Sequence, residues 1–320
     1  MNRRSFLNRL SLAAASMVLL PSYSNRVSNK KNVILKAGIC ADVHRDLVPD
    51  NEWRLQSFIN SMNERGDIDF IIQLGDFCRL YERNIPFMNM WHSFHGPAYH
   101  VIGNHEFDDG FTQEQIIAYY GLKETYYSFD NNDYHFVILS GNDIKPTDPK
   151  YLIGEEQRRW LADDLDKTNK PVIAFCHQSL DENLEDIGNA GLTRSIFERA
   201  NEKAGFRKVR LIYSGHNHAD FHSIINGIHY VTINSMAYQW FGEPHDCNWY
   251  TEEIKQKYRR VNHFIPYKDP LWAVMTIYAD GEIDIEGRSS EFLCPLTDEQ
   301  RYVVNGMDIY VPFISNRRLI

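Results

Sequence analysis

The chain has 320 residues, 43% of them apolar and 13% aromatic, which is enough to bury a large core and too much for a disordered chain. Its formal net charge is −9 and it contains no long block of Lys or Arg, so a nucleic-acid backbone has no basic groove to follow. Five scattered cysteines exclude a disulfide framework in a chain this long: Cys40, Cys78 and Cys176 lie in apolar surroundings and read as small buried residues, leaving only Cys247 and Cys294 as candidates for a bridge.

The N-terminal stretch "MNRRSFLNRLSLAAASMVLLPS" carries three arginines within its first nine residues and an apolar run from Leu10 to Leu20, too short to span a bilayer and proportioned for an export signal. Arg3-Arg4-Ser5-Phe6-Leu7 resembles the twin-arginine signal, continued by polar Asn8. An ordinary secretory signal that happens to carry two arginines is the alternative. Residues 1–30 are therefore expected to be an export signal and short linker, and residues 31–320 a single domain working in the periplasm or cell envelope with no transmembrane helix in the mature chain.

From residue 33 onward short β-rich runs recur, each closing on polar residues: "VILKAGICADVH" (33–44), "IDFIIQLGD" (68–76), "AYHVIGNHE" (98–106), "HFVILSGND" (135–143), "PVIAFCH" (171–177) and "VRLIYSGHNH" (209–218). Helical patterns lie between them. Trp53, Leu55, Phe58, Ile59 and Met62 recur at helical spacing before Gly66, Trp160, Leu161 and Leu165 share a face, and "LTRSIFERANEKAG" again ends in glycine. Strands alternating with helices predict an α/β protein whose loops at the strand ends carry the chemistry. After about residue 225 strands dominate, with Asp280-Gly281 marking a hairpin, so added C-terminal strands and a second sheet are expected.

Five of the strands end in Asp42-Val43-His44, Gly75-Asp76, Gly103-Asn104-His105-Glu106, His177 and Gly215-His216-Asn217-His218. Taken singly each is commonplace, since a Gly-Asp after a strand or a lone His is more often part of a polar loop. Together they offer carboxylate, amide and imidazole with no cysteine in a ligand position, a donor set for hard or borderline divalent ions. Two such ions about 4 Å apart need a shared carboxylate to offset their repulsion. In the last cluster both imidazoles can turn inward if the strand has ended, with Gly215 supplying the turn and Asn217 tolerating unusual dihedrals.

In this order, over residues 34–218, the clusters D-x-H, G-D, G-N-H-E, H and G-H-x-H closely resemble the calcineurin-like metallophosphoesterase family, nearest to its bacterial phosphodiesterase branch. The resemblance implies a two-sheet β-sandwich flanked by helices in four layers. It also implies two divalent ions, drawn from Mn, Fe, Zn or Ni: one held by Asp42, His44 and His218, the other by Asn104, His177 and His216, with Asp76 bridging. His105 would stand beside the leaving group as general acid, paired with a carboxylate that the sequence does not identify. Glu106 reads as a loop stabiliser rather than a second acid. Purple acid phosphatases carry a tyrosine three residues after the Gly-Asp aspartate, where this chain has Arg79, which disfavours a tyrosinate–iron site.

The expected function is an exported dinuclear-metal hydrolase of small-molecule phosphoesters, with a phosphodiesterase favoured over a phosphomonoesterase or a pyrophosphatase of nucleotide or lipid diphosphates. A non-catalytic metal-binding protein is the remaining reading, opposed by the complete ligand set. Arg45 and Arg79 are the few cations near the clusters and are read equally as structural residues or phosphate clamps. The aromatics at 238–244 and 248–250 could stack on a base or sugar or belong to the core, and His245 is the further histidine best placed to line a pocket. His92, His95, His100 and His135 are expected to be surface or hydrogen-bonded residues.

Overall fold

The strand Val33–Cys40 is buried almost throughout, and it pairs in parallel with Phe70–Gln73, which pairs in parallel with Ala98–His100. The register Cys40↔Gln73 and Gln73↔His100 brings the carboxyl ends of all three strands level, so the loops leaving them share one edge of the sheet. A second parallel set, Tyr134–Leu139, Val172–Cys176 and Val209–Ser214, does the same in another sheet. The computed structural model describes residues 31–143, 151–184, 186–242 and 249–320, so the expected export signal at 1–30, as well as His245 and Cys247, lies outside the described residues.

Each main sheet has six strands. In the first the order is Arg317–Leu319, Ile283–Gly287, Ala273–Tyr278, Val33–Cys40, Phe70–Gln73 and Ala98–His100; in the second it is Tyr127–Asn131, Tyr134–Leu139, Val172–Cys176, Val209–Ser214, Ile228–Thr232 and Phe221–Ile225. Leu35, Ala37, Ile39, Phe70 and Ile72 of the first sheet share one core with Phe136, Ile138, Ile173, Phe175, Leu211 and Tyr213 of the second. Alternate residues of the same strands face outward, where Ile71 meets Leu55, Phe58, Ile59 and Met62 of the helix Asn51–Arg65, and Val137, Ala174 and Ile212 meet Leu161, Leu165 and Phe197 of the helices Glu155–Lys167 and Ala190–Ala204. The result is the expected four-layer helix–sheet–sheet–helix sandwich, in which the inner strands Phe70–Gln73, Tyr134–Leu139, Val172–Cys176 and Ile228–Thr232 are buried on both faces, as their unbroken apolar runs require, while outer strands such as Tyr127–Asn131 and Phe221–Ile225 are partly open. Each fully buried Phe or Leu contributes about 1.5–3 kcal/mol to holding the sheets together.

Three details differ from the sequence reading. The strands after residue 225 divide between the sheets: Ile228–Thr232 joins the second, made from residues 127–232, whereas Ala273–Tyr278, Ile283–Gly287 and Arg317–Leu319 extend the first, covering the edge of Val33–Cys40 antiparallel. Trp53 sits one position off the apolar stripe of its helix and is 50% exposed, with the Arg54 guanidinium over its ring. Trp160 is only partly buried, whereas Gln157 takes the buried position one turn before Leu161 and bonds the backbone of Ser140. Gly66 and Gly205 end their helices in the left-handed conformation, as their positions predicted. Cys40, Cys78 and Cys176 are free and buried, and Cys294 is disulfide-bonded. No helix among the described residues is long and apolar enough to cross a membrane.

Candidate metal centre

The level strand ends bring the five clusters together, and cross-links between their loops fix them. From the first loop Asp42 N–H donates to the Gly75 carbonyl at 3.2 Å and His44 N–H to the Asp76 carbonyl at 2.9 Å; from the second sheet Gly215 N–H donates to the His177 carbonyl at 2.9 Å. The Asp42 carboxylate accepts the His216 N–H at 3.0 Å, tying the two sheets through one side chain. Asp42, His44, Asp76, His216 and His218 all hold left-handed φ angles between 48° and 66°, a conformation unusual for these residue types. Strain concentrated on these five residues, out of nine non-glycine residues with positive φ among those described, marks the place where local geometry serves something other than stability.

That pattern reverses one expectation. Asn217 does not take the left-handed turn in the GHNH loop; the two histidines do. Gly215 is needed for space, because a Cβ there would lie 2.6 Å from Asp42 Oδ2 and 3.1 Å from the Ala41 Cβ.

The seven expected ligand residues converge. His44 Nε2 and His218 Nε2 are 3.1 Å apart, and His218 Nε2 lies 3.4 Å from Asp42 Oδ1. His177 Nε2 lies 3.1 Å from Asp76 Oδ2 and 3.3 Å from His216 Nδ1. Within the sets Asp42–His44–His218 and Asp76–His177–His216 the donor atoms all lie within 4.8 Å of one another, spacing suited to atoms each about 2.0–2.2 Å from a shared ion. His177 Nδ1 and His218 Nδ1 are spent on the Leu74 and Tyr238 carbonyls at 2.7 and 3.0 Å, which fixes the tautomer and leaves each Nε2 turned to the centre. Asn104 Oδ1 is buried with no hydrogen-bond partner, an orphan acceptor that a cation would satisfy. These residues therefore fit two divalent ions.

The electrostatics agree. Burial alone would raise the Asp76 carboxyl, but His177, His105 and His44 outweigh it and hold the pKa well below the usual range. Burial keeps His44 and His216 low, in the neutral form that binds metal. Glu106 is buried and accepts the amides of Phe77 at 2.7 Å, Gly103 at 3.0 Å and Asp76 at 3.2 Å, with the Tyr120 hydroxyl at 3.2 Å. All its acceptor capacity is committed to the two loops, the stabilising role expected of it.

His105 is 29% exposed, and its Nε2 lies 3.9 Å from Asp76 Oδ2. The partner that the sequence left open is Asp108, whose Oδ2 lies 2.7 Å from His105 Nδ1. Burial disfavours the imidazolium, but Asp76 and the hydrogen-bonded Asp108 overcome it and lift the pKa to about 9. Asp108 is itself held by Arg79 at 2.6 Å, so Arg79 is a structural cation and not a free phosphate clamp. Arg45 is likewise paired, with Glu52 at 2.5 Å. Asp108 follows His105 by three residues, at the point where the short 3₁₀ segment His105–Gly110 breaks into extended backbone.

A cavity of 460 Å³ opens from the centre, lined by His44, Asp76, His105, His216 and His218 and walled by Tyr238, Trp240, Arg260 and Tyr310. Arg260 and Tyr310 carry no signal in the sequence, since only the fold brings them here. Tyr238 stacks on Phe264 at 4.2 Å and is wholly buried, so the aromatic segment serves the core and the wall at once. Among the other histidines, His100 is buried against Gln73 and His135 is bracketed by Asp130 and Asp164, as hydrogen-bonded residues should be.

A profile of the family described as calcineurin-like phosphoesterase matches residues 35–220. The chain is 23% identical over 236 residues to the manganese-dependent ADP-ribose/CDP-alcohol diphosphatase of Arabidopsis thaliana, covering 57% of this chain and 75% of the relative. It is 25% identical over 221 residues to a 3',5'-cyclic-nucleotide phosphodiesterase of Nostoc sp., covering 62% and 77%. In three dimensions it resembles a dimetal phosphatase from Danio rerio, with a TM-score of 0.56 at 15% identity over 80% of this chain and 96% of the other. It resembles GAP50, the anchor in the inner membrane complex of Plasmodium, almost as well, with a TM-score of 0.54 at 13% identity over 81% and 87%. The likeness in shape thus speaks for the fold and leaves the chemistry to the residues.

Proposed function

The chain belongs to the calcineurin-like phosphoesterase family and is a metal-dependent hydrolase, and from that premise we propose that its substrate is a small phosphodiester, a phosphorus carrying an organic arm on each side. The observation that carries this reading is the 460 Å³ cavity with its aromatic wall beside the histidine and aspartate cluster, within the range of about 300–1,000 Å³ in which small ligands are enclosed. Both basic residues that follow the first two clusters, Arg45 and Arg79, are committed to carboxylates and so are not free to clamp the further oxygens of a phosphomonoester dianion, which leaves Arg260 as the one Lys or Arg among the described residues lining the cavity.

Asp42, His44 and His218 would hold one ion, and Asn104, His177 and His216 the other, with Asp76 shared. When bound, the pair supplies positive charge to the phosphoryl oxygens and lowers the pKa of water toward neutrality. The protein's own part is positional. The neutral Asn104 amide keeps net positive charge at the centre, and the left-handed loops aim the imidazoles without flexible linkage. In the overall reaction a water oxygen bonds to phosphorus, one ester P–O bond breaks, and the departing alcohol takes its proton from His105 Nε2, with Asp108 on Nδ1 holding the ring in place. The water's protons are returned to solvent and to His105, which closes the cycle.

The same reading takes residues 1–30 as an export signal and short linker, with Arg3-Arg4 resembling the twin-arginine signal, so that the enzyme would work in the periplasm or cell envelope. The substrate reading is tested with matched aryl phosphodiesters and monoesters assayed with Mn, Zn, Fe, Ni and Mg, alongside metal analysis of the purified protein. A higher kcat/KM for the diester, weakened further by Trp240→Ala than for the monoester, is expected. A preference for the monoester overturns it.

A further inference from the structure

Among the described residues that line the cavity, Arg260 is the one Lys or Arg. Among the described residues its guanidinium has neither ion-pair nor hydrogen-bond partner, in contrast to Arg45 and Arg79, and it follows the short helix Glu252–Lys257 and lines the cavity with Tyr238 and Trp240. The backbone that carries it is fixed. The Arg260 carbonyl accepts the His263 N–H at 2.9 Å, and the next residue, Val261, is buried with Tyr238 and Phe264. His263 in turn stacks on the Trp240 ring at 5.7 Å with its plane tilted only 14°. A charged fork on an anchored turn, facing a cavity and left without a protein acid, is a group whose counter-ion comes with the ligand.

Resting on the phosphodiester reading above, we propose that Arg260 is a specificity-determining residue that binds a second anionic group of the substrate, so that the preferred substrates are diphosphate diesters, with one phosphate at the histidine and aspartate cluster and the other at Arg260. The cavity is larger than one phosphoryl group needs, and its lining combines the aspartate and imidazoles of the cluster with the Arg260 guanidinium, the two kinds of group a substrate with two phosphates would use. The chain's net charge of −9 strengthens the argument. A protein that repels anions in general must present specific cations where it accepts one. Trp240, beside Arg260, offers a flat face to whatever arm leaves the second phosphate.

The test compares bis(p-nitrophenyl) phosphate with P1,P2-bis(p-nitrophenyl) diphosphate, which carry the same aryl arms and differ by one phosphate, with products followed by chromatography so that P–O–aryl cleavage to p-nitrophenol and P–O–P cleavage to p-nitrophenyl phosphate are both counted, in the metal-loaded wild type and in Arg260→Ala, Arg260→Gln and Arg260→Lys. Because the side chain is exposed, all three variants should fold, which thermal unfolding checks. The loss of kcat/KM in Arg260→Ala and Arg260→Gln is expected to be about tenfold to a hundredfold larger on the diphosphate than on the single phosphate, with Arg260→Lys between them and the wild type. Affinity for the non-hydrolysable methylenebisphosphonate analogue, measured by calorimetry, should fall by the same factor. Equal losses on both esters, a loss confined to bis(p-nitrophenyl) phosphate, or unchanged analogue affinity would overturn the assignment. If the wild type turns over neither diester, the phosphodiester reading fails by itself, and the analogue's affinity still decides the role of Arg260.

Discussion

Asp108 and Arg79 act on His105 with opposite sign, which gives the general-acid assignment a sharp test. The carboxylate of Asp108 stabilises the protonated ring across 2.7 Å, and Arg79, 2.6 Å from the same carboxylate, drains part of that charge. In Asp108→Asn a charge-assisted hydrogen bond becomes a neutral one, a difference of about 1–1.5 kcal/mol, or about one pH unit in the pKa of the ring. In Arg79→Gln the carboxylate is freed of its cation and the pKa rises, by less, because Asp108 is partly exposed and solvent screens the pair. A general acid works while protonated, so its activity is present below its pKa and lost as pH climbs through it. The alkaline limb of kcat/KM should therefore move down by about one unit in Asp108→Asn and up in Arg79→Gln. Bound dications pull the absolute position below the value of about 9 set by the protein alone, but they act on all three proteins alike, so the differences survive. The assay is a pH–rate profile with an alkyl diester, whose leaving alkoxide needs the proton, and a p-nitrophenyl diester, whose leaving group does not. His105→Ala should slow the former by roughly 10²–10⁴-fold and the latter less. Limbs that stay put, move together, or shift equally for both leaving groups would refute the reasoning.

Asp76→Asn should remove at least one metal equivalent per chain and most of the activity; two retained equivalents with full activity, by metal analysis and steady-state assay, would remove Asp76 from the shared position. Gly215→Ala drives a methyl against Asp42 Oδ2 and Ala41, so overpacking should lower stability by about 1–3 kcal/mol and weaken metal retention together, which thermal unfolding and dialysis against chelator will show. Stability lost without any loss of metal would separate the packing from the site. Replacing Arg3 and Arg4 by Lys should keep the protein in the cytoplasm if the twin-arginine route is used, as fractionation and immunoblotting will report; normal export would assign it to the general secretory route.

What the sequence disclosed of this site follows from how such sites are built. Parallel strands end where the apolar run stops, and residues placed there by short loops stay close to their strand, so Asp42, Asp76, Asn104, His177 and His216 could be read as one group from five separate stretches. The fold class followed from the same alternation of strands and helices. The loop conformations were not legible, because His216 and His218 adopt left-handed angles that tertiary hydrogen bonds impose against local preference, while Asn217, the residue suited to them, does not. Arg260 and Tyr310 reach the cavity from segments whose composition resembles any other surface. Their position depends on how residues 250–320 wrap around the first sheet, and no local period encodes that. The destination of the strands from Ala273 onward is hidden for the same reason, since a strand pattern says nothing about which exposed edge it will cover.

Each expected ion draws on both sheets: Asp42 and His44 leave the first and His218 the second, while Asp76 and Asn104 leave the first and His177 and His216 the second. An ion in either position is thus a rivet between layers otherwise joined by an apolar core and a few hydrogen bonds such as that from His216 N–H to Asp42. Its binding free energy belongs to the native state alone, and at a free concentration a hundred times its dissociation constant it deepens that state by about 2.7 kcal/mol. The melting point then becomes a gauge of metal supply. Wherever metal supply fluctuates, the same two rivets that equip the enzyme for catalysis would set how long each molecule survives.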